Sequence, residues 1–465
     1  MSAIHDRNKN NLSLFARRQD KAARSLLTGE GRDQPICNMK MKKTKLALPL
    51  FMAVLVMPSL PLSSGARASV LDDIGLFSED FAEASLLLRP RFEYRKVGDL
   101  EGANALTVRA RSGLLLGKGA PVSLFAQVEA TKALIDDYQS NPLGGPQTQP
   151  FNPGYSVIGD PEHEELNQLW AKINPIGGFG AKVGRQQIVR NNMAFIGHVA
   201  WRQTEQTYDA VELSYTSDTD FSVTYAYADR VQRIFGDTTP VDLPLEEFEG
   251  DFHFLDAKIP TSFGPISAYM YHIDLDERPD LPGGAQAALA NVGESTTIGA
   301  STTKGPLYLE AAYQDGESAL EGGDYDSVYG HVKYTKKLDK MAVFGGIEYW
   351  SDGFKTPLAT VHAFNGFADS VILQRIGLND AGGLFQGMFN PYVGFSTPLP
   401  GGFVLKGFFH YLADESASTV YGSEIDAVLI KKLSDTATFV MKGAYFMGDE
   451  YADISQVSVQ IDFKL

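Results

Sequence analysis

From residue 84 onward, apolar and polar side chains alternate along the chain. Over residues 85–95, leucine and aromatic residues occupy one set of alternating positions, and arginine and glutamate occupy most of the other. Residues 456–465 repeat the pattern, with an apolar residue at every second position up to Leu465. A period of two indicates a β-strand with one apolar and one polar face. The chain is therefore predicted to be all-β.

The length and spacing of these segments indicate a membrane barrel. About 18 segments can be counted, most of them 9–13 residues long. A strand tilted across a bilayer needs about 9–11 residues, whereas strands of soluble proteins average about 5–6. Short connections alternate with long ones, and the long ones are 134–163, 231–250, 276–294 and 351–383. This is the plan of an outer-membrane protein, so we expect a single transmembrane antiparallel β-barrel of about 18 strands in the bacterial outer membrane.

The N-terminal part has the layout of a signal peptide. Within residues 39–68 a basic stretch precedes an apolar core and an Ala-x-Ala cleavage signal. A transmembrane anchor is the alternative, and prolines inside the apolar core argue against it. Residues 1–38 are interpreted as a misassigned gene start or an extension, 69–84 as a periplasmic lead-in, and 85–465 as the barrel.

Composition excludes several classes of protein. The net charge is -16, and residues 1–68 hold 12 basic and 4 acidic side chains, which leaves 29 basic and 53 acidic ones in the rest. A nucleic-acid-binding surface is normally basic, so nucleic acid is not an expected partner. Cys37 is the only cysteine, so the barrel segment contains no disulfide and no thiolate metal site. No cofactor or metal is expected.

The polar face of the first two strands carries Arg89, Arg91, Arg109 and Arg111. For a hairpin that turns near Leu100, the register pairs Arg89 with Arg111 and Arg91 with Arg109. Directly opposed like charges destabilise a sheet, so water, carboxylates or a passing anion must compensate them.

Further charged residues are expected on the lumen wall: Glu129, Lys406 and Lys442. Rings of arginine or lysine are a physical means of admitting anions. The alternative is a network of ion pairs that braces a wide lumen without selecting solutes. The sequence leaves both open.

Longer motifs occur in three places. Gly-Arg-Gln-Gln at 184–187 is followed by Trp-Arg-Gln at 201–203; His-Ala-Phe-Asn-Gly-Phe-Ala-Asp spans 362–369; and Tyr-Gly-Ser-Glu-Ile-Asp spans 421–426. Together they resemble the alginate-export family of outer-membrane porins, and 362–369 is the most specific of them. The resemblance implies an 18-stranded monomeric barrel with a charged lumen, and passive export of an anionic polyuronate.

The resemblance also implies roles for individual residues. Arg185, Arg190 and Arg202 would lie on or near a loop that dips toward the lumen, with Asp209 as a candidate partner. The alternative is that Trp201, Arg202 and Asp209 only anchor that loop to the barrel wall, and this is the favoured interpretation for Trp201.

The trio His362, Asn365 and Asp369 could also suggest a hydrolase or a metal site. No serine in a recognisable nucleophile setting accompanies the trio, and no second histidine lies at ligand spacing. A loop folded on itself by hydrogen bonds is the favoured interpretation.

These observations predict a passive outer-membrane channel for anionic solutes, of the alginate or uronate type, and no enzyme activity. A general or phosphate-type porin is the alternative within transport, and a surface receptor or a barrel hydrolase is the alternative from another class. The expected partners are the lipid bilayer, an anionic saccharide or small anion, and the outer-membrane assembly machinery.

Overall fold

A computed structural model describes residues 81–141, 148–236, 246–276, 292–318, 323–360, 362, 364–372 and 386–465. The expected signal peptide (39–68) and the residues before it lie outside this described part. The first strand begins at Ala82, within the stretch that the sequence assigns to the lead-in.

Eighteen strands make up the described fold. They are β1 (Ala82–Val97), β2 (Ala103–Leu116), β3 (Val122–Asp137), β4 (His163–Ile176), β5 (Phe179–Gln186), β6 (Thr207–Thr216), β7 (Ser222–Gln232), β8 (Glu247–Ile259), β9 (Ile266–Leu275), β10 (Glu294–Lys304), β11 (Leu307–Ser318), β12 (Gly323–Lys337), β13 (Ala342–Trp350), β14 (Met388–Leu399), β15 (Phe403–Ala413), β16 (Val420–Lys432), β17 (Ala437–Gly448) and β18 (Ile454–Lys464). A 3₁₀ turn at Pro400–Gly402 joins β14 to β15.

Each strand pairs antiparallel with its neighbours in sequence, and β1 pairs with β18 to close the barrel. Closure satisfies the ladder of every strand and leaves no sheet edge, which a structure in hydrocarbon requires. An ion pair between Arg89 of β1 and Asp462 of β18 crosses the seam on the inner face. The prediction of a closed antiparallel barrel with about 18 strands is confirmed.

The outer surface is apolar because alternate residues of each strand point outward. Val183, Val393 and Ile425 are each more than half exposed there. Aromatic residues flank this band, as expected at the two membrane interfaces. Those near the short-turn end include Phe179, Tyr215, Phe263, Phe403 and Phe439, and those toward the other end include Tyr94, Tyr313, Tyr349, Tyr411 and Tyr445.

Short turns join the strands at one end of the barrel, and the longer loops lie at the other. Three of these loops recur below: loop 2 (residues 138–162), loop 3 (residues 187–206) and loop 7 (residues 351–387, in part described). Among the described residues, no helix is long and apolar enough to cross a bilayer.

Loops 3 and 7 fold inward and fill the long-loop half of the barrel. Phe195 of loop 3 packs against Phe354 of loop 7, with ring centroids 5.7 Å apart, and against Tyr329 on the wall at 5.1 Å. Backbone hydrogen bonds join the loops, from Gly197 N to Leu358 O at 2.9 Å and from Thr360 N to Met193 O at 3.0 Å. The two loops therefore form one inserted unit, and its apolar residues share a core with inward side chains of the wall.

Candidate functional site

The first hairpin places its arginines in a register different from the predicted one. Arg89 lies opposite Arg109, Arg91 lies opposite Thr107, and Arg111 lies opposite Leu87. The predicted Arg89–Arg111 and Arg91–Arg109 pairs are therefore wrong by a shift of two residues. A two-residue shift keeps all four arginines on the inner face, because the side-chain period of a strand is two.

Loop 3 rests on two of these arginines. Arg89 Nη1 donates to the carbonyl oxygen of Ala200 at 2.9 Å, and Arg91 Nη1 donates to the carbonyl oxygen of Trp201 at 2.5 Å. Arg91 is only 1% exposed. These guanidinium groups hold the loop backbone, so Arg91 does not face an open passage.

Asp160 of loop 2 ties the same region together. It forms an ion pair with Arg91 and accepts a hydrogen bond from the backbone N–H of Gln203 at 2.9 Å. Burial alone would raise the pKa of Asp160, but Arg91 and Arg202 outweigh burial and hold that pKa below its usual range. Loops 2 and 3 are thus joined through an ionised carboxylate.

Arg111 is also neutralised within the wall. It forms ion pairs with Glu129 of β3 and with Glu205 of loop 3, the latter at 2.7 Å. Glu205 accepts further hydrogen bonds from the side-chain amides of Asn167 at 2.8 Å and Gln187 at 2.6 Å. The expected lumen residues Arg111 and Glu129 therefore brace loop 3.

Arg109 differs from its neighbours. Its side chain is 4% exposed, and its Nε and Nη1 atoms have no hydrogen-bond acceptor among the described residues. Within the same part of the chain it makes no ion pair. Its neighbours on this face include two further cations, with Arg89 directly opposite and Arg111 two residues away. A buried cation without a counterion is unfavourable, so this position suits a bound anion.

Arg202 joins loop 3 to loop 7 and to the wall. Its guanidinium contacts the carboxylates of Glu93 at 3.1 Å and Asp369 at 3.6 Å. At 7% exposure, this residue bridges the inserted unit to β1 instead of lining a wide lumen.

A stack of rings fixes the same junction. Trp201 lies parallel to His362 with ring centroids 4.3 Å apart, and Phe367 also stacks on His362, with ring centroids 5.1 Å apart. Lys442 of β17 sits over the Trp201 ring, with its ammonium 3.3 Å from the centroid. Loop 3, loop 7 and β17 meet in this cluster, which we call the ring stack (Trp201, His362, Phe367 and Lys442).

Hydrogen bonds assign the protonation of His362. Lys442 can only donate, so its contact of 3.0 Å makes His362 Nε2 an acceptor. Nδ1 then carries the hydrogen and donates to Asp369 at 3.2 Å. Burial, together with the Lys442 ammonium, lowers the pKa of His362 to about 3 despite the nearby Asp369 carboxylate. The imidazole is therefore neutral.

The tip of loop 7 explains the residue types of its motif. Asn365 and Asp369 adopt left-handed backbone conformations, with φ of 63° and 54°, which these two residue types tolerate better than most. The Asn365 amide donates to Glu348 at 2.5 Å. Strand β16 supplies acceptors, because Glu424 accepts from Ala368 N at 2.6 Å. The motif therefore specifies a tight turn held by wall carboxylates.

Gly366 has no room for a side chain. Its φ is +99°, and a Cβ atom there would lie 2.3 Å from the Glu424 carboxyl carbon. We expect Gly366→Ala to displace the tip of loop 7, at a cost of about 1–3 kcal/mol from backbone strain alone, and to make the loop susceptible to limited proteolysis. Gly402→Ala is the control, since Gly402 has φ +79° and no atom within 4 Å of the added Cβ. Equal protease resistance of the two variants would contradict the expectation.

The remaining predicted residues divide between the outer and inner faces of the wall. Arg185 shares a face with Val183, which is 52% exposed on the outer surface, and pairs with Asp209 at 2.8 Å. Arg185 therefore does not line the lumen, and Asp209 does not anchor loop 3. Arg190 does point inward, where it pairs with Glu212 at 2.7 Å and Asp256 at 2.9 Å.

Lysines are concentrated on the inner face near the short-turn end. They alternate with outward apolar residues on their strands, and they include Lys172, Lys182, Lys258, Lys333, Lys337, Lys406, Lys432 and Lys464. Lys406 is half-buried on this wall, as a lumen residue would be. In the described part of the chain, no group of three or more His, Cys, Asp or Glu side chains is arranged to hold a metal ion.

Sequence comparisons give one family and no individual relative. The sequence signature of the family described as alginate export matches residues 85–318, half of the chain. No curated protein matches.

Solved structures share the fold. OpdK of Pseudomonas aeruginosa, crystallised with vanillate, is 12% identical with a TM-score of 0.59, over 84% of this chain and 100% of OpdK. OccAB1 of Acinetobacter baumannii is 11% identical with a TM-score of 0.60, over 84% of this chain and 97% of that one. OccK2 (OpdF) of P. aeruginosa, in complex with glucuronate, is 12% identical with a TM-score of 0.57, over 83% and 99%. At such identities the likeness establishes the barrel fold alone.

Proposed function

The chain belongs to the alginate export family, and on that premise we propose that it is a passive channel for anionic saccharides of the uronate type. It is an outer-membrane barrel of the porin type, so its short turns face the periplasm and its long loops face the exterior. The proposal concerns what passes through it.

Arg109 carries the proposal. Among Arg89, Arg91, Arg109 and Arg111, it is the one guanidinium that makes no ion pair with the described residues. A solute carboxylate can fill that role, and a charge-assisted hydrogen bond is about twice as strong as a neutral one. Arg89, Arg91 and Arg111 are neutralised by their own ion-pair partners, which leaves the charge of Arg109 for the solute.

The lysines of the periplasmic half support the same proposal. They give the inner wall a positive charge although the chain as a whole is acidic. A like-signed lining concentrates counterions in a channel and speeds their entry. We propose that anions are attracted into this vestibule first and reach Arg109 along the face of loop 3.

The molecules bound in two structures of similar fold are consistent with an anionic solute. OccK2 was crystallised with glucuronate, a monomeric uronate, and OpdK with vanillate. We propose the same class of substrate for the present chain. We propose no catalytic residue, since the side chains of His362, Asn365 and Asp369 are engaged in holding loop 7.

The test is planar-bilayer recording of the barrel with and without oligouronates. We expect anion preference in a KCl gradient and blockade by oligouronates, but not by neutral oligosaccharides of equal length. Arg109→Gln should weaken blockade about tenfold, since a hydrogen bond to a charged group contributes about 1.5–3 kcal/mol. Arg230→Gln is the control, because Arg230 pairs with Glu249 on the outer surface.

Each alternative outcome has a distinct meaning. Anion preference with blockade by phosphate, and not by oligouronates, would indicate a phosphate-type porin. An unselective pore would indicate a general porin. Unchanged blockade in Arg109→Gln would remove Arg109 as the contact, and absence of conductance would favour a receptor.

A further inference from the structure

A groove crosses the outer face of the barrel, away from the lumen. It has a volume of about 910 Å³ and lies across β12–β16. Its walls are the outward side chains of Tyr334, Val393, Phe395, Phe409 and Ile425, and a smaller depression continues it toward Pro391 and Tyr411. Val393 is 59% exposed and Tyr334 is 52% exposed, so the groove opens directly onto the bilayer.

The strand register explains the groove. One row across the wall runs Tyr334, Gly345, Val393, Phe409 and Ile425, each residue opposite the next. Gly345 leaves a gap between two large side chains. In the next row toward the periplasm, Phe395 lies opposite Gly407, and its ring folds over that glycine, where a Cβ would come within 2.6 Å of it. The groove is therefore deep where glycines carry no side chain.

The periplasmic end of the groove carries a cation. Lys336 lines this end and points outward, opposite Val343. It makes no ion pair within the described residues. At the membrane interface, a lysine can lie along apolar surface and place its ammonium among the headgroups. The groove thus has apolar walls, and at one end it has an ammonium group that makes no ion pair with the described residues. This combination matches a lipid with an anionic headgroup.

We propose that this groove binds an anionic glycerophospholipid of the periplasmic leaflet. One acyl chain lies between Tyr334 and Phe409, over Gly345, and the phosphate lies at Lys336. The position of Lys336 near the short turns selects the periplasmic leaflet. This proposal depends on the barrel's place in the outer membrane and is independent of the solute that the channel carries.

The test uses full-length protein extracted from outer membranes in mild detergent, with phosphatidylglycerol as the added probe and native mass spectrometry as the readout. We expect one tightly held phosphatidylglycerol per barrel. Gly345→Leu should reduce its occupancy at least tenfold by filling the groove. The backbone of Gly345 is in the ordinary range, and a Cβ there meets nothing closer than 3.3 Å, so this variant should fold.

Two further variants make the test specific. Ala257→Leu adds the same side chain to the outer face of β8, away from the groove, and should keep the lipid. Lys336→Gln should remove the preference for phosphatidylglycerol over phosphatidylethanolamine. Equal occupancy in Gly345→Leu and the parent, loss in Ala257→Leu as well, or retention of lipopolysaccharide or detergent alone would each overturn the proposal.

Discussion

Replacing Arg91 with leucine will raise the single-channel conductance several-fold. The Arg91 side chain is fully buried between Asp160 and Glu93, and it also donates to the Trp201 carbonyl. Removing one partner of a buried ion pair costs about 3–5 kcal/mol, because the remaining charges stay buried without compensation. Loop 3 would then detach from the wall at Trp201, and the lumen would widen.

The experiment is planar-bilayer recording on folded barrels, with Arg185→Leu as the matched control. Arg185 also pairs with an aspartate, but on the outer surface, so its loss should leave conductance unchanged. In the double variant Arg91→Leu/Asp160→Leu both charges of the pair are absent, and we expect it to recover part of the parent's conductance. Parent-like conductance in Arg91→Leu would show that Arg91 does not hold loop 3.

Acidification from pH 7 to 4.5 will loosen the same inserted unit through His362. When loop 7 is packed, the His362 pKa is about 3, whereas a released histidine titrates near 6.5. The released loop therefore binds the proton more tightly, and the packed loop is destabilised progressively as the pH falls below about 6.5. Each pH unit contributes about 1.4 kcal/mol, so the total at pH 4.5 is about 2–3 kcal/mol.

The groups that face His362 are Lys442 from β17, Arg202 from loop 3 and Asp369 from loop 7. Burial alone would raise the pKa of Asp369, but its basic neighbours outweigh burial and lower that pKa. Asp369 therefore stays ionised between pH 7 and 4.5. Open-channel noise should rise as the pH falls, and His362→Gln should abolish that rise. His272→Gln on the outer face is the control. If His362→Gln shows the same pH response as the parent protein, protonation of His362 is not the cause of the loosening.

Local patterning was sufficient to predict the barrel. Each strand repeats apolar and polar residues with a period of two, and that period depends only on neighbouring residues and on the solvent outside. The same rule also places Arg185, because it shares a face with Val183. The resemblance suggested a lumen position for Arg185, and alternation within β5 would have corrected it.

The inserted loops could not be predicted in the same way. Their key contacts join residues far apart in sequence, such as Arg91 with Trp201 and Lys442 with His362. Asp160 and Glu205, which neutralise the strand arginines, belong to no motif. One signal was available: Phe248, Phe252 and Phe254 of β8 occupy inward positions that a water-filled pore would give to polar residues. Apolar residues on the inner face indicate that something packs there.

The seam between β1 and β18 has a consequence for the order of assembly. Neighbouring strands form hairpins from local contacts, whereas β1 must wait for β18, the last strand, to close the ring. Contacts between distant parts of a sequence form late, since loop-closure entropy must be overcome first. The Trp201–His362 stack draws one ring from the N-terminal half of the chain and its Lys442 neighbour from the penultimate strand. A nascent barrel is therefore expected to form its wall before loops 3 and 7 pack inside it. Those loops should become ordered only after the last strand has paired with β1.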